Sequence, residues 1–197
     1  MTIINTVRLI LRPFTETDIP EFYAIQRNLD VNRFLPWFAP ATIDSALQML
    51  HDQYLDAPDG EQLAVCLKES NKAIGYVHAE ASESHDFGYG MLPSAWGHGY
   101  MTEASLALIA ALPVADYPYL TATHDVNNPK SGAVMRRLGM TYQYTYLEQW
   151  QPKNLPVHFR LYLLNRDGNE DRRYLKYWHM YPEHKVEPLE NNTPQRD

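Results

Sequence analysis

Cysteine is almost absent from this chain of 197 residues, because Cys66 is the only one. A single cysteine excludes an internal disulfide and every zinc site that is built from several cysteines. The eight histidines include no His-Glu-x-x-His pair, so the sequence predicts no metal site. A chain without disulfides suits a reducing compartment, and we expect it to be cytoplasmic.

Long apolar runs are missing as well. The longest, at residues 104–115, is interrupted by Pro113 and is too short to cross a bilayer. Residues 1–11 lack the apolar core and the small-residue cleavage site of a secretory signal, and they resemble the start of a strand. We therefore expect a soluble protein without a membrane partner.

Positive charge is scarce, since 17 lysines and arginines stand against 24 aspartates and glutamates, and the formal net charge is -7. Broad binding to a phosphate backbone needs a concentrated basic surface. The sequence therefore predicts no nucleic-acid partner. An anionic cofactor would need a local site, such as the N terminus of a helix.

The residues that are present predict an ordinary folded domain, with 45% apolar and 21% charged residues. Apolar periodicity and turn residues, including a turn at residues 58–60, predict the order β-α-α-β-β-β-α-β-α-β-β. The predicted strands cover residues 7–14, 62–68, 73–80, 87–92, 119–123, 142–150 and 157–165. The predicted helices cover 20–29, 43–55, 102–112 and 129–138, and the first of them is expected to bury one face with Phe22, Ile25 and Leu29. This order favours a mixed α/β fold, with a mostly antiparallel central sheet flanked by helices, over a doubly wound fold.

The chain changes character near residue 167. We predict one domain over residues 1–166 and an extension over residues 167–197, in which basic residues alternate with Tyr174, Tyr177, Trp178 and Tyr181 before a polar end at residues 187–197. The aromatic part is expected to dock on the domain or on a second subunit, so the protein is a monomer or a homodimer. The polar end is expected to fray.

The most informative stretch is FGYGMLPSAWGHGYMTEA, at residues 87–104. A strand ends at Pro93, a loop with Gly97 and Gly99 follows, and an apolar helix begins at once. Such a loop can place successive backbone N–H groups around a phosphate. A dinucleotide fingerprint would need glycine in place of Thr102, and the Gly-Lys-Ser/Thr of a P-loop is absent. By themselves, the two glycines are equally compatible with an ordinary turn.

A second motif places Asn128 and Ser131 at the start of the helix that ends before Gly139. Alone, the two residues are a helix-capping pair.

Together, the motifs resemble the GCN5-related N-acetyltransferase (GNAT) superfamily, in its RimJ/RimL-like branch of ribosomal-protein N-terminal acetyltransferases. The resemblance covers residues 7–166 and rests on Arg8-Leu9-x-Leu11-Arg12-Pro13-Phe14, Gly88-Tyr89-x-x-x-Pro93-x-x-Trp96-Gly97-x-Gly99-Tyr100-Met101-Thr102-Glu103-Ala104, and Asn128-x-x-Ser131 with Leu138-Gly139-Met140.

The resemblance implies acetyl-coenzyme A (acetyl-CoA) as cofactor and a pyrophosphate loop at residues 96–102. The loop residues are Trp96, Gly97, His98, Gly99, Tyr100, Met101 and Thr102. The superfamily has Gln or Arg at the position of Trp96 and Gly or Ala at that of Met101, and this branch commonly departs at both. The strand at Met91 and Leu92 would bind the pantetheine arm through its backbone, Asn128 would hydrogen-bond the pantetheine, and Ser131 would protonate the leaving thiolate.

The general base is left open between Asp86, which precedes the pantetheine strand, Glu103 in the following helix, and water or an amine that arrives deprotonated. The function implied is transfer of an acetyl group to a primary amine, either a protein N terminus or a small molecule, by direct attack in a ternary complex. The alternative is a non-catalytic acyl-CoA-binding regulatory module. Retention of both Asn128 and Ser131 favours the enzyme. The acceptor would be shaped by residues 28–42, 142–156 and 174–181.

Overall fold

Two antiparallel sheets form the frame of the protein in a computed structural model, which describes residues 3–56 and 59–189. The first sheet has the order β1-β2-β3-β4-β5 and the second has the order β6-β8-β7-β9. The strands are β1 (Ile4–Asn5), β2 (Leu9–Arg12), β3 (Glu61–Leu67), β4 (Ala73–Ala79), β5 (Phe87–Met91), β6 (Tyr119–Asp125), β7 (Thr141–Trp150), β8 (Leu155–Asn165) and β9 (His184–Lys185). The predicted mixed α/β fold is confirmed.

The helices are α1 (Ile19–Arg27), α2 (Leu29–Asn32), α3 (Ile43–Leu50), α4 (Tyr100–Ala111), α5 (Pro129–Arg137) and α6 (Lys176–Met180). A π-helical turn at His51–Leu55 continues α3, and 3-10 turns precede α1 and α4. Along the part of the chain that the structure describes, no helix combines the length and apolar character needed to cross a membrane.

The first predicted helix ends two residues early. Asn28 leaves the helical conformation and caps α2, because its Oδ1 accepts the N–H groups of Asp30 and Val31 at 3.0 and 3.3 Å. Phe22 and Ile25 are fully buried, as predicted, whereas Leu29 is 77% exposed. The prediction that Leu29 shares their face was wrong, because the cap rotates the chain between them.

A gap between β5 and β6 separates the two sheets. These strands run parallel and meet at a bridge between Asp86 and Thr121, where the Thr121 N–H donates to the His85 carbonyl at 3.1 Å. Within residues 3–56 and 59–189, no further ladder joins β5 to β6. The two strands therefore part from Asp86 toward their carboxyl ends, and unpaired backbone groups face the gap.

The core has three parts, because strand alternation sends successive side chains to opposite faces. On β3, Leu63 and Val65 pack toward α4, and Ala64 and Cys66 pack toward α1 and α3. Burial raises the pKa of the Cys66 thiol to about 11. A third cluster joins β7 and β8 to the chain beyond residue 167.

The expected docking of the aromatic extension is observed. The Tyr144 hydroxyl donates to the Tyr174 carbonyl at 2.9 Å, and β9 pairs with β7. The Tyr146 ring stacks on those of Tyr177 and Tyr181, with centroids 5.0 and 5.1 Å apart. We call residues 167–189 the C-terminal segment. The rest of the predicted polar end, and Pro58 of the predicted turn, lie outside the described residues.

Candidate active site

The glycine turn, which we define as residues 96–102, links β5 to α4. Gly97 and Gly99 have φ values of +80° and +76°, in the left-handed region that favours glycine. A Cβ at Gly97 would meet nothing within 4 Å, and one at Gly99 would lie 3.6 Å from an Arg8 nitrogen. Backbone conformation, and not lack of space, is therefore what requires glycine here. The Trp96 indole N–H donates to the Met91 carbonyl at 2.8 Å and holds the turn against the end of β5.

The backbone N–H groups of residues 97–102 donate to no described residue. The first N–H of the region with a partner belongs to Glu103, which bonds the Gly99 carbonyl at 3.0 Å. Free N–H groups at the start of a helix, aligned with its dipole, form an anion site. Of the residues predicted for a diphosphate loop, residues 97–102 therefore have free N–H groups, whereas the Trp96 N–H donates to the Pro93 carbonyl at 3.1 Å.

Arg8 and Glu103 fix the glycine turn. The Arg8 Nη1 donates to the His98 carbonyl at 2.9 Å, and its Nε and Nη2 each lie 2.7 Å from Glu103 Oε2. Glu103 Oε1 also accepts from the Thr6 hydroxyl at 2.6 Å. Burial raises the pKa of Glu103, but hydrogen bonds from Thr6 and Arg8 outweigh it and leave this pKa below its usual value. Because both carboxylate oxygens are occupied, the geometry argues against the suggested role of Glu103 as a base.

One of the two strand residues predicted to meet the pantetheine presents its backbone to the gap. The Leu92 N–H donates to the Ile74 carbonyl at 2.9 Å and so completes the pairing with β4. Since backbone groups alternate in direction along a strand, the Met91 N–H and C=O face the other way, toward β6. Met91 therefore offers a backbone donor to the gap, and Leu92 does not.

Asn128 and Ser131 lie across the gap from β5, at the start of α5. Asn128 Oδ1 accepts the Ser131 N–H at 3.4 Å, so the pair caps the helix. The Ser131 hydroxyl donates to the Tyr89 hydroxyl at 3.1 Å, and the Tyr89 hydroxyl donates to the Ser131 carbonyl at 2.8 Å. Burial raises the pKa of Tyr89 well above its usual value, so this phenol stays protonated. Tyr89 belongs to a motif of the predicted resemblance, but its hydrogen bonds with Ser131 were not predicted.

Asp86 lies at the closed end of the gap with two polar neighbours. His78 Nε2 is 3.7 Å from Asp86 Oδ2, and His78, Glu80 and Asp86 each offer an atom within 4.8 Å of the others. Burial and the nearby Asp86 raise the pKa of Glu80, while Glu80 Oε2 accepts the Ser82 hydroxyl at 3.0 Å. Sequence spacing did not indicate this trio, because it joins the end of β4 to the start of β5. One imidazole and two carboxylates are groups that also bind divalent metals.

A cavity of about 260 Å³ opens beside Asp86. We call it the acidic cavity, and its walls carry three carboxylates and three tyrosines: Glu80, Asp86, Glu148, Tyr146, Tyr177 and Tyr181. Burial raises the pKa of Glu148, and the Tyr181 hydroxyl lies beside this carboxylate. The cavity therefore combines residues from the β4–β5 connection, from β7 and from the C-terminal segment.

The family known as the acetyltransferase (GNAT) domain matches residues 8–141. The chain belongs to this family. The match runs from β2 through the glycine turn and α5, and so includes every motif on which the predicted resemblance rests. This GNAT protein is an acetyl-CoA-dependent acetyltransferase, as predicted. No curated protein matches the sequence.

Solved structures share the fold of this GNAT protein at low identity. An acetyltransferase (GNAT family) from Bacillus anthracis is 19% identical, with a TM-score of 0.71 over 83% of this chain and 98% of its own. An acetyltransferase from Salmonella typhimurium that modifies the N-terminal serine of 50S ribosomal subunit protein L7/L12 is 18% identical, with a TM-score of 0.69 over 84% of this chain and 100% of its own.

The microcin C7 self-immunity acetyltransferase MccE, solved in complex with acetyl-CoA and AMP, is 17% identical, with a TM-score of 0.71. The superposition covers 82% of this chain and 94% of MccE.

The residues of this chain fit acetyl-CoA in chemical terms. The free N–H groups of the glycine turn suit a diphosphate, and Lys130 lies over the Trp96 ring at 4.7 Å, which brings a cation to the edge of the turn. The Met91 N–H faces the gap, where a carbonyl of an amide-bearing arm could pair with it, while the Met91 carbonyl accepts the Trp96 indole N–H.

Proposed function

We propose that this GNAT protein acetylates a primary amine by direct attack in a ternary complex, with the acetyl-CoA diphosphate at the glycine turn and the amine in the acidic cavity. The observation that carries the proposal is the position of the two sites at opposite ends of β5. Asp86 immediately precedes this strand, and the turn follows it. Since a strand rises about 3.3 Å per residue, the ends lie roughly 17 Å apart and leave room for an extended arm along the gap.

The cofactor contacts follow from the free groups. The N–H groups of residues 97–102 would bind the diphosphate, with Trp96 held beneath by its bond to Met91. Asn128 would bind the pantetheine through its amide NH2, because its Oδ1 already caps α5. Leu92 would have an indirect role. Its hydrogen bond to the Ile74 carbonyl holds the end of β5 against β4, so that the Met91 N–H points into the gap.

The chemistry needs a proton acceptor for the amine, a donor for the carbonyl oxygen and a proton donor for the sulfur. When bound, acetyl-CoA would supply the thioester, in which the C–S bond is exchanged for a bond to the amine nitrogen. Asp86 accepts the proton that the nitrogen loses, directly or through water. Backbone groups alternate along β5, so the Tyr89 N–H faces the gap as the Met91 N–H does, and it would stabilise charge on the carbonyl oxygen nearer to Asp86. Ser131, hydrogen-bonded to Tyr89, would give the departing sulfur its proton and regain one from solvent.

Glu80 is the second candidate for the base. Burial and the nearby Asp86 raise the pKa of Glu80, which makes this carboxylate a stronger base, and it lines the same cavity. Two acceptor classes fit the cavity, a small-molecule amine and a peptide N terminus. The Salmonella neighbour modifies a protein N terminus, which keeps the peptide amine as a candidate here. We place the reaction in the cytoplasm, with the chain as a monomer or homodimer.

The first test is calorimetric titration of the full chain with acetyl-CoA, with NAD and ATP as controls. We expect binding of acetyl-CoA alone. Release of free coenzyme A thiol is then measured with a panel of amines and peptides. Selective binding with no thiol release from any acceptor would favour the non-catalytic acyl-CoA-binding module, and no binding by folded protein would refute the assignment of the glycine turn.

A further inference from the structure

The acidic cavity holds more negative charge than acetyl transfer requires. Glu80, Asp86 and Glu148 line it, and no lysine or arginine is among its described lining residues. Removal of one proton from an amine needs one carboxylate. Carboxylates that lose solvent are costly unless a positive charge compensates them. His78 lies 3.7 Å from Asp86, whereas no ion pair among the described residues includes Glu148, so a cationic ligand would compensate this carboxylate.

The aromatic residues of the cavity suit the same kind of ligand. Tyr146 is 3% exposed and stacks on Tyr177 and Tyr181, so these rings form a fixed wall. Trp150 also lines the cavity. Ring faces attract ammonium groups, most strongly where water is excluded. A wall of aromatic faces between carboxylates is an environment for an alkylammonium group.

Tyr177 shows that the three carboxylates converge. Burial is the largest cause of its raised pKa, and Asp86, Glu148 and Glu80 each raise it further. Their charges therefore act on a single hydroxyl from different elements. The volume of the acidic cavity, about 260 Å³, is smaller than the roughly 300–1,000 Å³ of sites for drug-sized ligands. A short, flexible ligand fits this volume better than a bulky one.

We propose that the acceptor is a small aliphatic amine that carries a second positive charge, with one amine at Asp86 and Glu80 for acetylation and the cationic group held by Glu148 and the tyrosines. This inference rests on the proposed function and names its substrate class. It also gives the C-terminal segment a role, because Tyr177 and Tyr181 come from that segment and Tyr181 lies beside Glu148.

The experiment compares three acceptors of nearly equal size by thiol release from acetyl-CoA: 1,4-diaminobutane, 4-amino-1-butanol and n-butylamine. A serine-initiated peptide without lysine or arginine is the fourth. EDTA is present, so that metal at His78, Glu80 and Asp86 does not compete. We expect kcat/KM for the diamine to exceed that for the amino alcohol at least tenfold, since a paired charge is worth about 1.4 kcal/mol or more.

Variants assign the preference to one side chain. Glu148→Gln is expected to lower kcat/KM for the diamine about tenfold and to leave that for the amino alcohol within about twofold. Glu170→Gln removes an exposed carboxylate of the C-terminal segment outside the cavity and is expected to change neither value.

The outcomes separate the two proposals. Equal rates with all three small amines, or a higher rate with the uncharged peptide, would overturn the second-charge inference and leave the acetyltransferase assignment intact. An unchanged diamine preference in Glu148→Gln would also overturn it. Cofactor binding without thiol release from any acceptor would refute both.

Discussion

The two ends of β5 are built in different ways. The glycine turn is made of consecutive residues, and its binding groups are backbone N–H groups that any side-chain pattern with glycine at residues 97 and 99 would provide. The acidic cavity is made of side chains from parts of the chain that are far apart in the sequence, including Tyr177, which lies 91 positions beyond Asp86. A site built from backbone recognises a feature common to many ligands, whereas a site built from side chains selects among them.

The largest effect is expected from a single substitution that places a charged side chain in the glycine turn. We expect Gly99→Glu to lower acetyl-CoA affinity at least about 100-fold, because the new carboxylate at a φ of +76° lies where the diphosphate would bind. Calorimetry measures the loss. Gly168→Glu is the matched control, since Gly168 has a φ of +81° and open space around its Cβ. If both variants fold and bind acetyl-CoA with equal affinity, the glycine turn is not part of the cofactor site.

A smaller effect is expected from Ser131, which lies across the gap from β5, between the glycine turn and the acidic cavity. Ser131→Ala should lower kcat roughly 10- to 100-fold and leave acetyl-CoA affinity within about twofold, because the hydroxyl acts on the leaving sulfur and not on the bound ground state. Pre-steady-state thiol release separates chemistry from binding. Tyr89→Phe keeps the ring and removes the partner hydroxyl, so it should reduce kcat less. Wild-type kcat in Ser131→Ala would exclude it as the proton donor.

The ion pair of Arg8 with Glu103, which fixes the glycine turn, is expected to stabilise the protein in a pH-dependent way. Glu103→Gln should lower the free energy of unfolding at pH 7 by about 1–2 kcal/mol, because charge-assisted hydrogen bonds become neutral ones. The folded-state pKa of Glu103 is below its unfolded value, so its stabilisation is present above the unfolded pKa and is lost as pH falls through the folded pKa. Urea unfolding at neutral and acidic pH should show the difference shrink with acid. An equal difference at both would contradict the charge argument.

The smallest effect concerns the tip of the β7–β8 hairpin. Lys153 Nζ donates to the Asn32 carbonyl at 2.6 Å and to Asn32 Oδ1 at 2.9 Å, which ties the hairpin to α2. Lys153→Met should cost about 1 kcal/mol of unfolding free energy, because buried Asn32 loses its partner. The acceptor KM should rise a few-fold while that for acetyl-CoA stays constant. A change in the acetyl-CoA KM instead would contradict the assignment of cofactor and acceptor binding to different ends of β5.

The same distinction explains what the sequence predicted. Helix and strand order, the glycine turn and the α5 start are local patterns, so their boundaries came within a few residues. Leu29 was misplaced because Asn28 can either continue a helix or cap the next one, and local propensity does not decide between them. Glu80 and Glu148 were missed, and Tyr89 was given no role, because the contacts of these residues join distant segments. Stacking of Tyr146 on Tyr177 has no short-range signal.

The bond from Arg8 to the His98 carbonyl joins residues 90 positions apart. The final shape of the glycine turn therefore depends on a segment near the start of the chain being in its native place. A partly folded molecule has no complete site to offer, so a cofactor that binds here binds the native state alone. By mass action, acetyl-CoA at 100 times its dissociation constant would then add about 2.7 kcal/mol to the stability of the entire fold. Cellular supply of the cofactor would in this way set the lifetime of the protein as well as its rate of catalysis.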